Sequence, residues 1–160
     1  MLLAGAAAWL VLNAAVYILA PVLGVSLDQV ARFFGSLLAP GAATTAQMWV
    51  GRAVLLAAAI GWSLLYPSAA QHLPGAGWLR GVVYGAGIWL VTALALPLIG
   101  AIHPNPGAFP PVPGAAGVAF PGFLGVGFAG TSGLILSILA HLAFGATLGV
   151  LLGMRERRAA

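Results

Sequence analysis

Four long stretches of the sequence are almost free of charged side chains, and this feature constrains the fold more than any other. They cover approximately residues 2–24, 48–66, 78–100 and 131–154. Each has the roughly 20 apolar residues that a helix needs to span a bilayer. Only 5% of all residues are charged, against about 25% in soluble proteins. The sequence therefore predicts an all-α membrane protein, in which a bundle of four transmembrane helices forms a single domain over residues 1–160.

The arginines predict how this bundle is oriented. Arg155, Arg157 and Arg158 follow the last span, and basic residues accumulate on the cytoplasmic side of membrane proteins. Because an even number of spans returns the chain to the same side, we expect both termini in the cytoplasm and the protein in the bacterial cytoplasmic (inner) membrane. The first stretch has no positively charged n-region and a long apolar run. We therefore expect it to be a retained span rather than a cleaved signal peptide.

The connection between the first two spans carries the pattern of a short amphipathic helix over residues 27–38. Ser26 and Gln29 fit a capping box, in which the two side chains satisfy free amide groups at the start of the helix. One helical face of the segment is apolar, and it comprises Leu27, Val30, Ala31, Phe34 and Leu38. We expect an interfacial helix that lies on the external membrane surface, with an ordinary connector as the alternative.

The connection over residues 101–130 contains six prolines and no charged residue, which argues against regular structure in its first half. Four aromatic side chains nevertheless lie in it: Phe109, Phe120, Phe123 and Phe128. Contiguous exposed apolar surface usually marks an interaction site. We therefore predict that this Pro/Gly-rich outer loop docks onto a partner subunit. Packing over the chain's own helices and insertion among the lipid headgroups are the alternatives.

Small residues recur at every fourth position in the last two spans, which is the pattern of membrane helices that pack closely. The predicted packing positions are Gly81 and Gly85 in the third span and Gly145, Gly149 and Gly153 in the fourth. The second span has a weaker stripe of the same kind, formed by Ala53, Ala57 and Gly61. These stripes indicate a tight bundle and carry no information about chemistry.

Three polar side chains within the spans are candidates for function, because polar and ionisable groups are costly in a bilayer. Asn13 and His141 lie near the middle of the first and fourth spans, at similar depth. We expect His141 to form an interhelical hydrogen bond, for example to Asn13; a haem ligand or a proton-relay group is the alternative. Arg52, at the outer end of the second span, is expected to snorkel to the interface or to pair with Asp28. Binding of an anionic lipid or cofactor group is the alternative for Arg52.

The residue types that catalysis needs are scarce. The two carboxylates, Asp28 and Glu156, fall on opposite sides of the predicted bundle, so they form neither an acid/base pair nor a metal cluster. The absence of cysteine and lysine removes thiolate metal sites, covalent haem attachment and lysine-containing phosphate loops. We therefore expect a chain that is not an enzyme by itself and has no cofactor or metal of its own, haem through His141 being the alternative. The basic tail marks a cytoplasmic end rather than a nucleic-acid site.

Two segments, at residues 73–85 and 140–149, resemble a family of uncharacterised prokaryotic four-helix integral membrane proteins that carry a domain of unknown function. The matching positions are a Leu-Arg-Gly turn around Arg80 and Gly81, and a His-Leu-x-x-Gly-x-x-x-Gly pattern at His141, Gly145 and Gly149. The resemblance covers about residues 48–153 and implies the same four-helix fold. This chain departs from the family because its second span has no histidine and its third connection is long and proline-rich.

These features predict a non-catalytic accessory subunit of a larger bacterial membrane complex, most consistent with a respiratory or photosynthetic electron-transfer assembly. The expected partners are other integral membrane subunits and lipids; no nucleic acid is expected. A small transporter or channel, and a haem- or quinone-binding protein centred on His141, are the alternative functions.

Overall fold

A computed structural model describes residues 2–23, 28–105, 108–109, 121–122, 124 and 126–159, apart from the side chains of residues 128–129 and 155–159. The regular structure in these residues is entirely helical. Five helices follow one another along the chain: α1 (Leu2–Leu23), α2 (Asp28–Leu38), α3 (Thr44–Ala70), α4 (Gly77–Ala101) and α5 (Val126–Ala159).

Helices α1, α3, α4 and α5 are each long and apolar enough to cross a membrane. They overlap the four apolar stretches of the sequence. A helix satisfies its backbone hydrogen bonds internally, which a chain surrounded by lipid requires. The prediction of an all-α protein with four long apolar helices is therefore confirmed. The short helix α2 lies where the amphipathic pattern predicted a helix. Its position relative to the membrane surface and the orientation of the termini stay predictions.

Three of the long helices contain a proline close to their carboxyl end. Pro21 lies in α1, Pro67 in α3 and Pro97 in α4, each within four residues of the last helical position. A proline lacks the amide hydrogen that would bond to the carbonyl four residues earlier. Each proline therefore leaves a carbonyl of the preceding turn without its intrahelical donor and weakens the helix close to its end.

The chain divides into two units. The first comprises Met1–Val16, Leu56–Trp89 and Ser137–Ala160. Its buried apolar cluster draws on four helices and contains Ala4, Ala8, Ala59, Tyr66, Ala70, Tyr84, Ile88, Phe144, Leu148 and Leu152. The Tyr84 hydroxyl donates a 2.6 Å hydrogen bond to the carbonyl of Trp62, and so ties α4 to α3.

Within this unit α4 and α5 touch through their backbones. A Cβ added to Gly81 would lie 2.9 Å from the Cα of Gly149, and one added to Gly145 would lie 2.8 Å from the Cα of Gly85. Real Cβ atoms do not approach so closely. Four of the five predicted packing glycines therefore lie where the two helices are in closest contact. A Cβ added to the fifth, Gly153, would lie 3.5 Å from the Cα of Gly77, which is an ordinary van der Waals contact.

The second unit comprises Tyr17–Leu55 and Leu90–Leu136. In it the short helix α2 packs on the first turns of α3. A Cβ added to Gly35 would overlap the carbonyl oxygen of Gln47, and one added to Gly51 would overlap that of Ala31. The Gln47 Nε2 donates to the carbonyls of Ala39 and Pro40, at 3.2 and 3.3 Å. These bonds supply donors to carbonyls just beyond the carboxyl end of α2.

The face that α2 buries differs from the apolar face of the sequence pattern. The buried residues are Ala31, Phe33, Gly35 and Ser36, whereas Leu38 is 66% exposed. Membrane helices approach one another through small residues, and lipid accommodates leucine as readily as a protein core does. The predicted capping residue Ser26 lies outside the described residues.

Candidate functional site

The most elaborate polar arrangement in the described residues surrounds His103, just after the end of α4. The imidazole is 5% exposed. It stacks on the ring of Phe33 with a centroid distance of 4.8 Å and an interplanar angle of 14°. Phe109 meets it edge-on, with centroids 5.3 Å apart. We call these three rings, together with Ser36, the His103 cluster. It joins α2 to the segment that follows α4.

The hydrogen bonds of the His103 cluster define its tautomer. The backbone N–H of Asn105 donates to Nδ1 of His103 at 3.1 Å, so this nitrogen acts as an acceptor. In the neutral ring the proton is then on Nε2, which lies 3.0 Å from the Ser36 hydroxyl oxygen and 3.3 Å from the Phe33 carbonyl oxygen. The Ser36 hydroxyl in turn donates to the Phe33 carbonyl at 3.1 Å. Both ring nitrogens are therefore engaged within the fold.

Arg32 borders this cluster. Its guanidinium carbon lies 5.3 Å from the centroid of the Phe109 ring, a distance at which a cation is attracted to an aromatic face. The Nε of Arg32 is buried and has no hydrogen-bond partner among the described residues, and the same is true of the Oε1 of Gln29, three residues earlier on α2.

Arg52 forms an ion pair with Asp28, with 3.3 Å between Nη2 and Oδ1. Pairing with Asp28 was one of the roles that the sequence suggested for Arg52. The Arg52 guanidinium also lies over the ring of Trp49, 4.9 Å from its centroid. Trp49 is 63% exposed. Since Arg52 is partly exposed and Asp28 mostly exposed, the pair contributes little stability, on the order of 1 kcal/mol or less. It connects α2 to α3.

The two polar residues near the middle of the spans each bond to their own helix. The Nδ2 of Asn13 donates to the carbonyl of Trp9 at 2.8 Å. The Nδ1 of His141 donates to the carbonyl of Ser137 at 2.8 Å. The prediction of an interhelical hydrogen bond from His141 to Asn13 is therefore wrong for these two described side chains, since each bonds to a carbonyl of its own helix. His141 keeps Nε2 as its unprotonated nitrogen.

Comparison of the chain with protein-family models, with curated proteins and with solved structures finds no match. The resemblance to a family of four-helix membrane proteins therefore stays a prediction, and function has to be argued from the residues. Within the described residues no group of three or more histidine, cysteine or acidic side chains is placed to hold a metal ion.

The predicted docking loop is described only in part. Phe109 is 5% exposed and belongs to a buried cluster with Phe33 and Leu96. This one phenylalanine thus packs against the chain's own helices, which is the alternative that the sequence left open for the loop. Phe120, Phe123 and the side chain of Phe128 lie outside the described residues.

Sequence reasoning missed the His103 cluster. The sequence showed only a histidine and a phenylalanine in a connection without charged residues, and, two spans earlier, an amphipathic helix with two adjacent phenylalanines. Helical spacing places Phe33 and Ser36 on one side of α2, but no period or motif links them to His103. The bond between Ser36 and His103 joins residues that are 67 positions apart in the chain.

Proposed function

We propose that this chain is a non-catalytic accessory subunit of a larger bacterial membrane complex, in the class of respiratory or photosynthetic electron-transfer assemblies. The observation that carries the proposal is that three of its polar side chains, His103, Arg52 and Arg80, have their partners within the chain itself. His103 uses both ring nitrogens inside the His103 cluster, and Arg52 pairs with Asp28. Arg80 donates through Nε to the carbonyl of Gly75 at 3.0 Å. In this proposal these three groups have a structural role.

The outward face of α3 supports a partner that is itself a membrane helix. Ala57 is exposed, and a Cβ added to Gly61 would meet no atom within 4 Å. The same four-residue spacing of small residues brings α4 and α5 into backbone contact. A transmembrane helix of another subunit is therefore the occupant that we propose for this part of α3.

The experiment that tests this proposal is purification of the tagged full chain in mild detergent, with mass spectrometry of whatever accompanies it. We expect larger integral membrane subunits to co-purify. Isolation of a monodisperse small protein, or of a homo-oligomer alone, would contradict the proposal.

A pair of neighbouring variants locates the contact. Ala57→Leu fills the small-residue stripe of α3, and Ala58→Leu adds the same volume at an exposed position about 100° further round the helix. We expect Ala57→Leu to release the partners and Ala58→Leu to retain them, with equal thermal stability of the isolated chains. If both variants retain the partner subunits equally, the small-residue face of α3 is not the contact with the partner.

One observation favours a second candidate, a haem- or quinone-binding protein. Donation from Nδ1 of His141 to a backbone carbonyl leaves Nε2 as an acceptor, which is how ligating histidines are commonly held. Purified protein with a Soret band that His141→Ala abolishes would support this candidate. Colourless protein purified from haem-replete cells would contradict haem binding. An unchanged quinone content in His141→Ala would contradict quinone binding at His141.

A further inference from the structure

Arg32 differs from the other arginine side chains that the structure describes. Arg52 has a carboxylate partner in Asp28, and Arg80 has a carbonyl partner in Gly75. The described residues offer the Arg32 guanidinium no hydrogen-bond acceptor, and its Nε is buried without a partner. A guanidinium has five N–H donors and keeps its charge at any physiological pH. It is therefore a binding group whose acceptor the described residues do not supply.

The position of this guanidinium is fixed by its surroundings. It lies over the face of Phe109, and Phe109 is in turn packed edge-on against Phe33 and His103. Because these rings are buried, they form a rigid platform under the cation. A binding group that is already oriented loses less conformational entropy when a ligand arrives than a mobile one does.

The local charge is positive. Asp28 lies one turn before Arg32 on α2, but its Oδ1 is bonded to Arg52. The three charged side chains of this region, Asp28, Arg32 and Arg52, therefore leave one positive charge without a counter-charge. Next to it Gln29 has a buried Oε1 without a donor, which suits a ligand that carries a hydroxyl as well as an anionic group.

The surface of the same unit is apolar. Leu38 is 66% exposed and Trp49 is 63% exposed. Tryptophan and arginine side chains of membrane proteins concentrate at the level of the headgroups. An anion that reaches Arg32 from the bilayer brings acyl chains that cover exposed apolar side chains, whereas a free anion from water brings nothing to cover them.

We propose that Arg32 binds the phosphate of an anionic phospholipid headgroup. The planar guanidinium is suited to two parallel N–H···O bonds with phosphate oxygens. Phosphatidylglycerol, which has headgroup hydroxyls, has the chemistry that this site favours. The inference requires the chain to be inserted in a membrane, but it does not depend on the proposed subunit role.

The test is native mass spectrometry of the full chain in detergent, titrated with phosphatidylglycerol or with phosphatidylcholine, for the wild type and three variants. Arg32→Gln removes the charge, Arg32→Lys keeps it without the planar fork, and Arg80→Gln removes an equal charge elsewhere. A parallel arm measures whether inorganic phosphate at millimolar concentration raises the thermal unfolding temperature. We expect phosphatidylglycerol to be retained about tenfold less by Arg32→Gln, with an intermediate loss for Arg32→Lys and none for Arg80→Gln.

Two results of the lipid titration would overturn the proposal. One is retention of phosphatidylglycerol by Arg32→Gln at the wild-type level; the other is an equal loss in Arg80→Gln, which would mean that net charge alone matters. Stabilisation by inorganic phosphate that disappears in Arg32→Gln, without any lipid preference, would overturn the lipid as the source and leave Arg32 as a site for the free anion. If Arg32→Gln itself unfolds, comparison of Arg32→Lys with Arg80→Gln still decides the outcome.

Discussion

Gly145 in α5 lies against Gly85 in α4 so closely that a Cβ on Gly145 would come within 2.8 Å of the Gly85 Cα. The contact is therefore made by main-chain atoms, without side chains between them. At this separation dispersion forces and weak Cα–H···O contacts stabilise the pair. The lipid supplies no hydrophobic driving force for helix association, so this close approach accounts for much of the stability of the pair.

Gly85→Ala should destabilise the protein by about 2 kcal/mol or more. The added Cβ would overlap the His141 carbonyl oxygen and lie 3.3 Å from the Gly145 Cα. Backbone atoms cannot move aside unless the helices separate. The control is Gly87→Ala on the same helix, where an added Cβ meets nothing within 4 Å. It should be neutral or slightly stabilising, because alanine favours a helix by up to about 1 kcal/mol over glycine. Thermal unfolding in detergent measures both, and equal unfolding temperatures would contradict the packing role.

Gly51→Ala should detach α2 from α3, because its Cβ would overlap the Ala31 carbonyl oxygen and lie 3.0 Å from the Gly35 nitrogen. Gly41→Ala is the matched control, since a Cβ there meets nothing within 4 Å. We expect Gly51→Ala to lower the unfolding temperature and to speed hydrogen exchange at the amides of residues 31–36. Unchanged exchange in Gly51→Ala would show that α2 is held by other contacts.

Ser36 and His103 should be energetically coupled. Ser36→Ala is expected to cost about 1 kcal/mol, as the loss of one buried hydrogen bond. His103→Ala is expected to cost about 3 kcal/mol, because it removes the ring that packs on Phe33 as well as its hydrogen bonds. The double variant should cost about 1 kcal/mol less than the sum, since the bond between the two is lost only once. Additive effects would mean that the 3.0 Å contact contributes nothing to stability.

Tyr84→Phe should cost about 1 kcal/mol, because it deletes the hydroxyl that donates to the Trp62 carbonyl in an apolar environment. Tyr17→Phe is the control, since Tyr17 is 52% exposed and its hydroxyl has no hydrogen-bond partner among the described residues. Thermal unfolding of the two variants side by side tests the prediction. An equal decrease in both would assign the effect to the loss of polarity rather than to the bond between α4 and α3.

The four long helices were predictable because lipid permits few alternatives: an apolar stretch of sufficient length satisfies its backbone only as a helix. The glycine pattern of α4 and α5 was also visible in the sequence. Small residues at every fourth position have few other uses in a membrane. The spacing alone does not show whether a stripe of small residues faces another helix of the chain. Ala57 and Gly61 have the same four-residue spacing on α3, yet they face outward.

The buried face of α2 and the His103 cluster were not predictable, for a different reason. Hydrophobicity identifies buried positions only when the alternative is water. Leu38 is exposed and Ser36 is buried, which reverses the order that hydrophobicity predicts for a soluble helix. Ser36 bonds to Phe33 on its own helix and to His103, and His103 comes from a proline-rich connection, where periodicity carries no information.

The first unit has a core that includes residues from both ends of the described chain. Ala8 in α1 and Leu148 in α5 are fully buried and belong to one cluster. During synthesis α1, α3 and α4 therefore leave the ribosome before α5, the helix that completes their packing. Until α5 follows, the glycine face of α4 lacks the backbone surface that covers it in the finished fold.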